Sequence, residues 1–381
     1  MIFLSQRRNF QTFEAVGKIK NIICTVTNDL NFDQRMIRIC NSLANNGYKV
    51  TLVGRKMPES GELSQRSFRQ ARLSCFFSKG PLFYAEYNLK LFFWLLFQKT
   101  DLICAIDLDT ILPCLWASKI KKTERVYDAH ELFCEMKEIV TRPSRYKIWK
   151  KIEQYAVPQF RNGYTVCAPI ADEFKNMYGV PYEVIRNVPM PLTTPTPANH
   201  LAPFFIYQGA VNEGRSFETL IPAMRKANAP LKIFGDGNFL EQTKMLINHY
   251  DLSKKVMLMG KLKPEILRNQ TAQAYAGITL FENNGYSNYL SLANRFFDYI
   301  NAGIPQICVD YPAYREINRQ FEVALLIQDL SSESIADAVN LLLTDSVLYN
   351  RLKQNCLEAR RLLNWQEEEK KLINFYRCIE N

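Results

Sequence analysis

Two series of strand-like segments, each alternating with helix-like stretches, constrain this chain more than any single motif. In the first series KIKNIICTVTN (18–28), YKVTLVG (48–54), DLICAID (101–107), RVYD (125–128), GYTVCA (163–168) and YEVIRN (182–187) read as strands. The first is followed by a helix expected from Asp33 to Asn46, with Met36, Ile39, Cys40 and Leu43 on one face and Gly47 as its stop. The second series runs FFIYQG (204–209), LKIFG (231–235), KVMLMG (255–260), AGITLF (276–281), PQICV (305–309) and VALLI (323–327). Such alternation is the rhythm of a doubly wound parallel sheet, here met twice. Between the series lies VPMPLTTPTPANHLAP (188–203), rich in Pro and Thr and without periodicity, which reads as a linker. The expected division is an extension over 1–17, a first α/β domain over 18–190, a linker over 191–203 and a second α/β domain over 204–362. A terminal helix over 363–381 completes it. A length of 381 residues suits two domains that each bury a core.

Composition narrows the chemistry. With 47% hydrophobic and 23% charged residues, wholesale disorder is excluded. Ten cysteines are scattered singly, with no Cys-x-x-Cys pair and only three histidines in the chain. That pattern argues against a zinc site or a disulfide scaffold and for a reducing, cytoplasmic compartment, and no metal is expected. The first strand runs into NDLNFDQR rather than Gly-x-Gly-x-x-Gly, which weighs against nicotinamide and flavin enzymes, and no Walker-type loop is present.

The formal charge of +10 is placed unevenly: residues 1–190 hold 28 Lys and Arg against 18 Asp and Glu, and the second half is balanced. An anionic partner is therefore expected for the first domain alone. Basic and aromatic residues interleave at 65–99 and again at 142–151, which suits an anionic membrane surface as well as it suits a buried helix with solvated flanks. No nucleic-acid-binding motif accompanies these charges. The start, MIFLSQRRNF, has its Arg pair after a short apolar run, the wrong order for a secretory leader. The longest apolar run, LFFWLLF at 91–97, falls far short of the roughly 20 residues a spanning helix needs. The expected location is cytoplasmic, with a peripheral association at the inner face of a membrane.

The stretch ENNGYSNYLSLANRFFDYINAGIP (282–305) carries the densest chemistry. Ser291 reads as a helix N-cap, and Asn294, Arg295 and Asp298 follow at i+3, i+4 and i+7 on one face. Free N–H groups at a helix start, with Arg295 beside them, make an anion site. Asp298 offers a carboxylate to sugar hydroxyls. Leu292, Phe296 and Ile300 form the apolar face, and Gly303 with Pro305 ends the helix. Diphosphate plus ribose fits such a face, although an ordinary amphipathic helix shows the same spacing.

With the two domains in view, several segments together resemble a GT-B glycosyltransferase, closest to the retaining nucleotide-sugar enzymes of glycosyltransferase family 4. They are VTNDLNFDQRMIRICNSLANNGYKVTLVGR, AIDLDTILP, VYDAHELF, VIRNVP, YQGAVNEGRSFETLI, LKIFGDG, VMLMGKL and SLANRFFDYINAGIP. The resemblance runs from about residue 21 to residue 379. It implies two Rossmann-like domains facing a cleft, with WQEEEKKLINFYR as a helix crossing back to brace the first domain. It implies a nucleotide-sugar donor in the second domain, a glycan or lipid-linked acceptor at the first, and no cofactor. The reaction implied is sugar transfer with retention, for cell-surface polysaccharide or glycolipid synthesis. A nucleotide-sugar 2-epimerase or a non-catalytic GT-B scaffold would look alike at this level.

The resemblance also implies roles. Gly209 ends a strand, and Arg215 stands where the family has a basic residue facing the diphosphate; the Arg that often follows the glycine is Ala210 here. Lys261 is a second candidate for the diphosphate or base, or a solvated loop lysine. The Gly-Asp-Gly at 235–237 serves either a close backbone approach to a ligand or a simple turn. Asp298 matches the second acid of the family's Glu-x7-Glu motif, whereas Leu290 stands at the first. Either Glu282 is brought to the sugar by its loop, or backbone N–H groups take over. His130, in DAHEL, would touch the donor sugar or the reacting centre. Asp33, Arg35 and Asp109 follow strands where an acceptor would lie, and Asp33 and Asp109 are equally explained as helix caps.

Overall fold

The computed structural model describes residues 19–31, 33–191 and 203–380; the expected extension over 1–17 and nearly all of the expected linker lie outside them. Thirteen strands form two sheets. The first contains β1 (Asn21–Thr25), β2 (Lys49–Lys56), β3 (Arg69–Ser74), β4 (Leu102–Ile106), β5 (Glu124–Ala129), β6 (Asn162–Thr165) and β7 (Glu183–Val184), in the order β3-β2-β1-β4-β5-β6-β7. The second contains β8 (Phe205–Gln208), β9 (Leu231–Phe234), β10 (Val256–Gly260), β11 (Ala276–Thr279), β12 (Gln306–Val309) and β13 (Ala324–Ile327), in the order β10-β9-β8-β11-β12-β13. Every strand pair of the second sheet is parallel. These are two Rossmann-like sheets of a GT-B fold.

All twelve strands read from the sequence are present, and β3 is an addition. Its residues, RQARLS, are exposed or half-buried throughout, because it is an edge strand paired only to β2. It therefore lacks the apolar run by which a more buried strand is read. Residues 81–97, read from their charge and aromatic content, form a helix, Pro81–Phe97.

By packing, the described residues fall into two compact units. One takes residues up to Asp128, with Gln159–Asn162 and the stretch from Leu372 onward; the other takes Ala129–Pro158 and Gly163–Lys371. In the first unit, helix Gln34–Asn45 starts where the sequence placed it, with Asp33 Oδ1 accepting from the Met36 N–H at 3.0 Å. Its Met36, Ile39, Cys40 and Leu43 are fully buried. The C-terminal helix Trp365–Glu380 begins in the second unit and ends in the first, where Tyr376 is fully buried beside Tyr48.

In the second unit the helix Asn294–Ala302 is fixed to β8 and β11 by Tyr299 among its buried side chains. Tyr299 is completely buried, and its hydroxyl sits 3.2 Å from the Gln208 N–H, from which it accepts, and 3.1 Å from Ile206 O, to which it donates. Its ring occupies the space beside Gly277 of β11: a Cβ built there would lie 2.2 Å from the ring. Overpacking of this kind typically costs about 1–3 kcal/mol. Gly277→Ala is therefore expected to lower the thermal midpoint measured by circular dichroism, whereas Gly61→Ala, whose Cβ would meet nothing within 4 Å, leaves it unchanged.

Candidate functional site

The chain order of the second sheet runs from β8 outward to β10, then returns to β11 on the other side of β8. In open α/β sheets such a reversal leaves a crevice at the carboxyl ends of the two strands, where ligands bind. Here the ends are Gln208–Gly209 and Leu280–Phe281, and the residues singled out in the sequence gather around them.

Arg295 lies in the first turn of the Asn294–Ala302 helix, yet it is 7% exposed rather than on a solvated face. Its guanidinium carbon sits 4.5 Å from the ring centres of both Tyr207 and Phe281. A flat, weakly hydrated guanidinium can be buried between aromatic faces where an ammonium would not be. Nη1 donates to Tyr207 Oη at 3.1 Å and to Gln208 O at 3.3 Å, while Nε and Nη2 are buried without a hydrogen-bond partner. Arg215 approaches the same Phe281 ring, at 4.3 Å. Burial, and then the charge of Arg295, push its pKa down, partly offset by Tyr207, Tyr314 and Glu131. Among the described residues no carboxylate forms an ion pair with either arginine. The two cations, Arg295 buried and Arg215 half-buried, share one aromatic ring.

Beside them is a cavity of about 650 Å³ lined by Gly209, Ala210, Gly235, Asp236, Gly237 and Lys261, with Phe234, Leu262 and Leu267 as an apolar wall. Its volume falls within the range of small-molecule sites. Gly209 has φ +124°, and Arg295 Nη1 would lie 3.1 Å from a Cβ placed on it. A Cβ on Gly235 would come within 1.8 Å of Gly209 O, and one on Gly237 within 2.3 Å of Val211 O. The Gly-Asp-Gly turn thus lets two strand-end loops close on each other.

Asp298 is held by a relay. Gln208 Nε2 donates to Asp298 Oδ2 at 2.8 Å, and Thr271 Oγ1 lies 2.6 Å from Gln208 Oε1. The carboxylate requires a donor, which fixes the amide orientation, and the Thr271 hydroxyl meets the other end. Neither Gln208 nor Thr271 was singled out in the sequence: a polar residue inside a strand gives no local sign of a partner 63 residues away. Tyr207 and Phe281 were missed for the same reason.

The expected N-cap is corrected. Ser291 ends a short helix, Tyr286–Leu290, and its hydroxyl donates to Asn288 O at 2.9 Å; the N-cap of the next helix is Ala293. That N-cap donates its own N–H to Tyr314 Oη. Asn294 is exposed and accepts from Asn187 Nδ2 at 2.8 Å. Glu282 donates its N–H to Gly214 O at 3.0 Å, one residue before Arg215, and its Oε2 accepts from Asn284. Burial, with Glu218 adding, raises its pKa.

The remaining candidates lie elsewhere. His130 is half-buried in the turn after β5. Arg35 is 4% exposed and bonds Asp128, itself fully buried, at 2.9 Å, so its charge is met within the first unit. Asp109 accepts from Thr27 Oγ1 at 2.5 Å, at the reversal between β1 and β4 of the first sheet, and the N-cap position of the helix that follows is Thr110. Among the described residues no cluster of His, Cys, Asp and Glu could hold a metal.

Comparison with known proteins gives this arrangement a family. Residues 195–358 match the family model of glycosyl transferases group 1, and residues 34–192 match that of glycosyltransferase family 4. No curated relative matches the sequence. Among solved structures, sucrose-phosphate synthase from Thermosynechococcus elongatus is 16% identical, with 94% of this chain and 99% of that one covered at a TM-score of 0.76. A glycosyltransferase from Rickettsia africae is 12% identical, with 95% and 99% covered at 0.74. HepE of Anabaena, in complex with UDP and glucose, is 13% identical, with 94% and 99% covered at 0.73. With family models over both halves and this fold throughout, the chain belongs to the glycosyltransferases of GT-B type.

Proposed function

We propose that the enzyme transfers a sugar from a nucleoside-diphosphate sugar to a hydroxyl of a glycan or lipid-linked acceptor, with retention of configuration, in the synthesis of a cell-surface polysaccharide or glycolipid. The observation that carries this reading is a pair of guanidiniums on one aromatic ring, Arg295 buried and Arg215 half-buried, with no carboxylate in ion-pair contact among the described residues, beside a glycine-lined cavity at the reversal of the second sheet. A diphosphate supplies the missing charge. Arginine forks bind phosphate oxygens bidentately, and the idle Nε and Nη2 of Arg295 form one edge of such a fork. Asp298, oriented by Gln208, takes the ribose hydroxyls, and Lys261 reaches the diphosphate or base from the cavity wall. Glu282, beside Arg215, stands in for the acid absent at Leu290.

In the reaction the bond from the anomeric carbon to the diphosphate oxygen breaks and a bond to the acceptor oxygen forms on the same face. The acceptor proton passes to the departing diphosphate, whose growing charge Arg215 and Arg295 stabilise. No cofactor or metal is required by this scheme. His130 contacts the transferred sugar, and Asp33, Arg35 and Asp109 line the way to the acceptor. The protein works on the cytoplasmic side, bound peripherally to the membrane.

Uridine is the first base to try, because HepE was solved with UDP and with UDP-glucose. Calorimetric titration with uridine, guanosine and adenosine diphosphates should find one that binds. A folded sample that binds none refutes the proposal. Donor panels scored for hydrolysis then identify the sugar.

Three variants test the roles. Asp298→Ala should weaken nucleoside diphosphate binding in the same titration while the thermal midpoint holds. Arg295→Gln should lower kcat/KM by roughly 10²–10³, the loss typical of one donor to a developing anion; an unchanged rate would exclude it from the diphosphate site. His130→Ala should lower turnover more than donor affinity, and equal losses in both would assign it to binding alone.

A further inference from the structure

The helix Pro81–Phe97 is apolar on two opposite sides. Phe83, Tyr87, Leu91 and Leu95 are buried and pack it onto the first unit. The other side carries Leu82, Leu89, Phe93 and Phe97, at 61%, 59%, 50% and 84% exposure. Steps of seven, four and four residues put these side chains on one stripe of the helix. The stripe continues onto the adjoining helix Ile111–Lys121, where Trp116 and Ile120 are 44% and 62% exposed. Phe92 bridges the two helices, edge-on to the Trp116 ring at 6.4 Å. A helix apolar on all sides belongs in an interior, and a continuous exposed apolar patch marks an interaction surface.

The charges around the patch identify what covers it. The two helices carry Lys90, Lys119 and Lys121, and Lys99 and Lys122 follow their ends. Their single acid, Glu86, is engaged by Lys90 at 2.6 Å and by the N–H groups of Phe76 and Phe77. The Lys121 ammonium lies 3.1 Å from Leu96 O, which sets it at the rim of the stripe. Aromatic and leucine side chains ringed by lysines match the boundary between acyl chains and anionic headgroups. A protein partner of ordinary composition would not need so one-sided a rim. No helix among the described residues is long and apolar enough to cross a membrane, so insertion would be limited to side chains.

We infer that the face made by Leu82, Leu89, Phe93, Phe97, Trp116 and Ile120, with its lysine rim, docks the protein onto an anionic phospholipid bilayer. This deepens the membrane association proposed above and is independent of the donor chemistry. The full chain should co-sediment with vesicles of equal parts phosphatidylcholine and phosphatidylglycerol, and do so far less with phosphatidylcholine alone or at high salt. Phe93→Gln with Phe97→Gln should reduce binding about tenfold, and Lys99→Glu with Lys122→Asn should remove most of the preference for anionic lipid. Donor hydrolysis should match wild type in both double variants, so loss of docking and failure of the transferase reading are separable. A photocrosslinker replacing Phe97 should capture lipid.

Vesicle binding unaffected by Phe93→Gln with Phe97→Gln would overturn the inference. So would a solution dimer that this double variant dissociates, which would assign the face to a second copy. Capture of residues 1–18 by the crosslinker would assign it to the chain's own N-terminal segment.

Discussion

The second unit is organised around the phenol of Tyr299. Parallel strands satisfy one another along their length, but the N–H and C=O groups at their ends need other partners. By accepting from Gln208 and donating to Ile206, Tyr299 closes the end of β8 and locks the overlying helix in rotation as well as position. Gly277 supplies the room for its ring. Once that helix is fixed, Arg295 must enter between Tyr207 and Phe281, and Asp298 must meet Gln208. One buried hydroxyl thus sets the geometry of both polar groups on the helix.

The charge balance follows from this placement. A buried cation is tolerated when hydrogen bonds or aromatic faces replace its water, and Arg295 has both on one side only. Arg215 adds a second positive charge in the same low-dielectric surroundings, where each disfavours the other. Such an arrangement is poor for stability and favourable for binding an anion, since the ligand relieves a repulsion that the empty protein carries. Nothing comparable surrounds Arg35, whose charge is already matched by Asp128.

Much of this was legible from sequence, and the misses have physical causes. Most strands announce themselves by an apolar run, β10 and β13 at the edges of the second sheet included, so twelve could be read; β3, RQARLS, has no such run. Asp33 reads equally as an acceptor residue and as a cap, and the capping bond, which is present, is legible from type and position because capping is a local interaction. Ser291 has the same type, but a preceding short helix claims it, and only the chain's path around Tyr286–Leu290 decides between the two. Periodicity placed Arg295 on one face with Asp298, whereas its burial depends on rings from β8 and the end of β11 and could not be read. The relay from Thr271 through Gln208 is wholly tertiary and leaves no trace in spacing.

The floor of the cavity at the reversal of the second sheet is nearly all main chain. Gly209, Gly235 and Gly237 meet so closely that a single added carbon at 235 or 237 would collide with a neighbouring carbonyl. Main-chain atoms cannot be exchanged by point mutation, so this surface is closed to evolutionary tinkering. Divergence in what the cavity accepts is left to its walls, at Lys261, Leu262 and Leu267. A library confined to those positions would search the sequence space still open to the enzyme, while one that included the glycines would mostly sample unfolded chains.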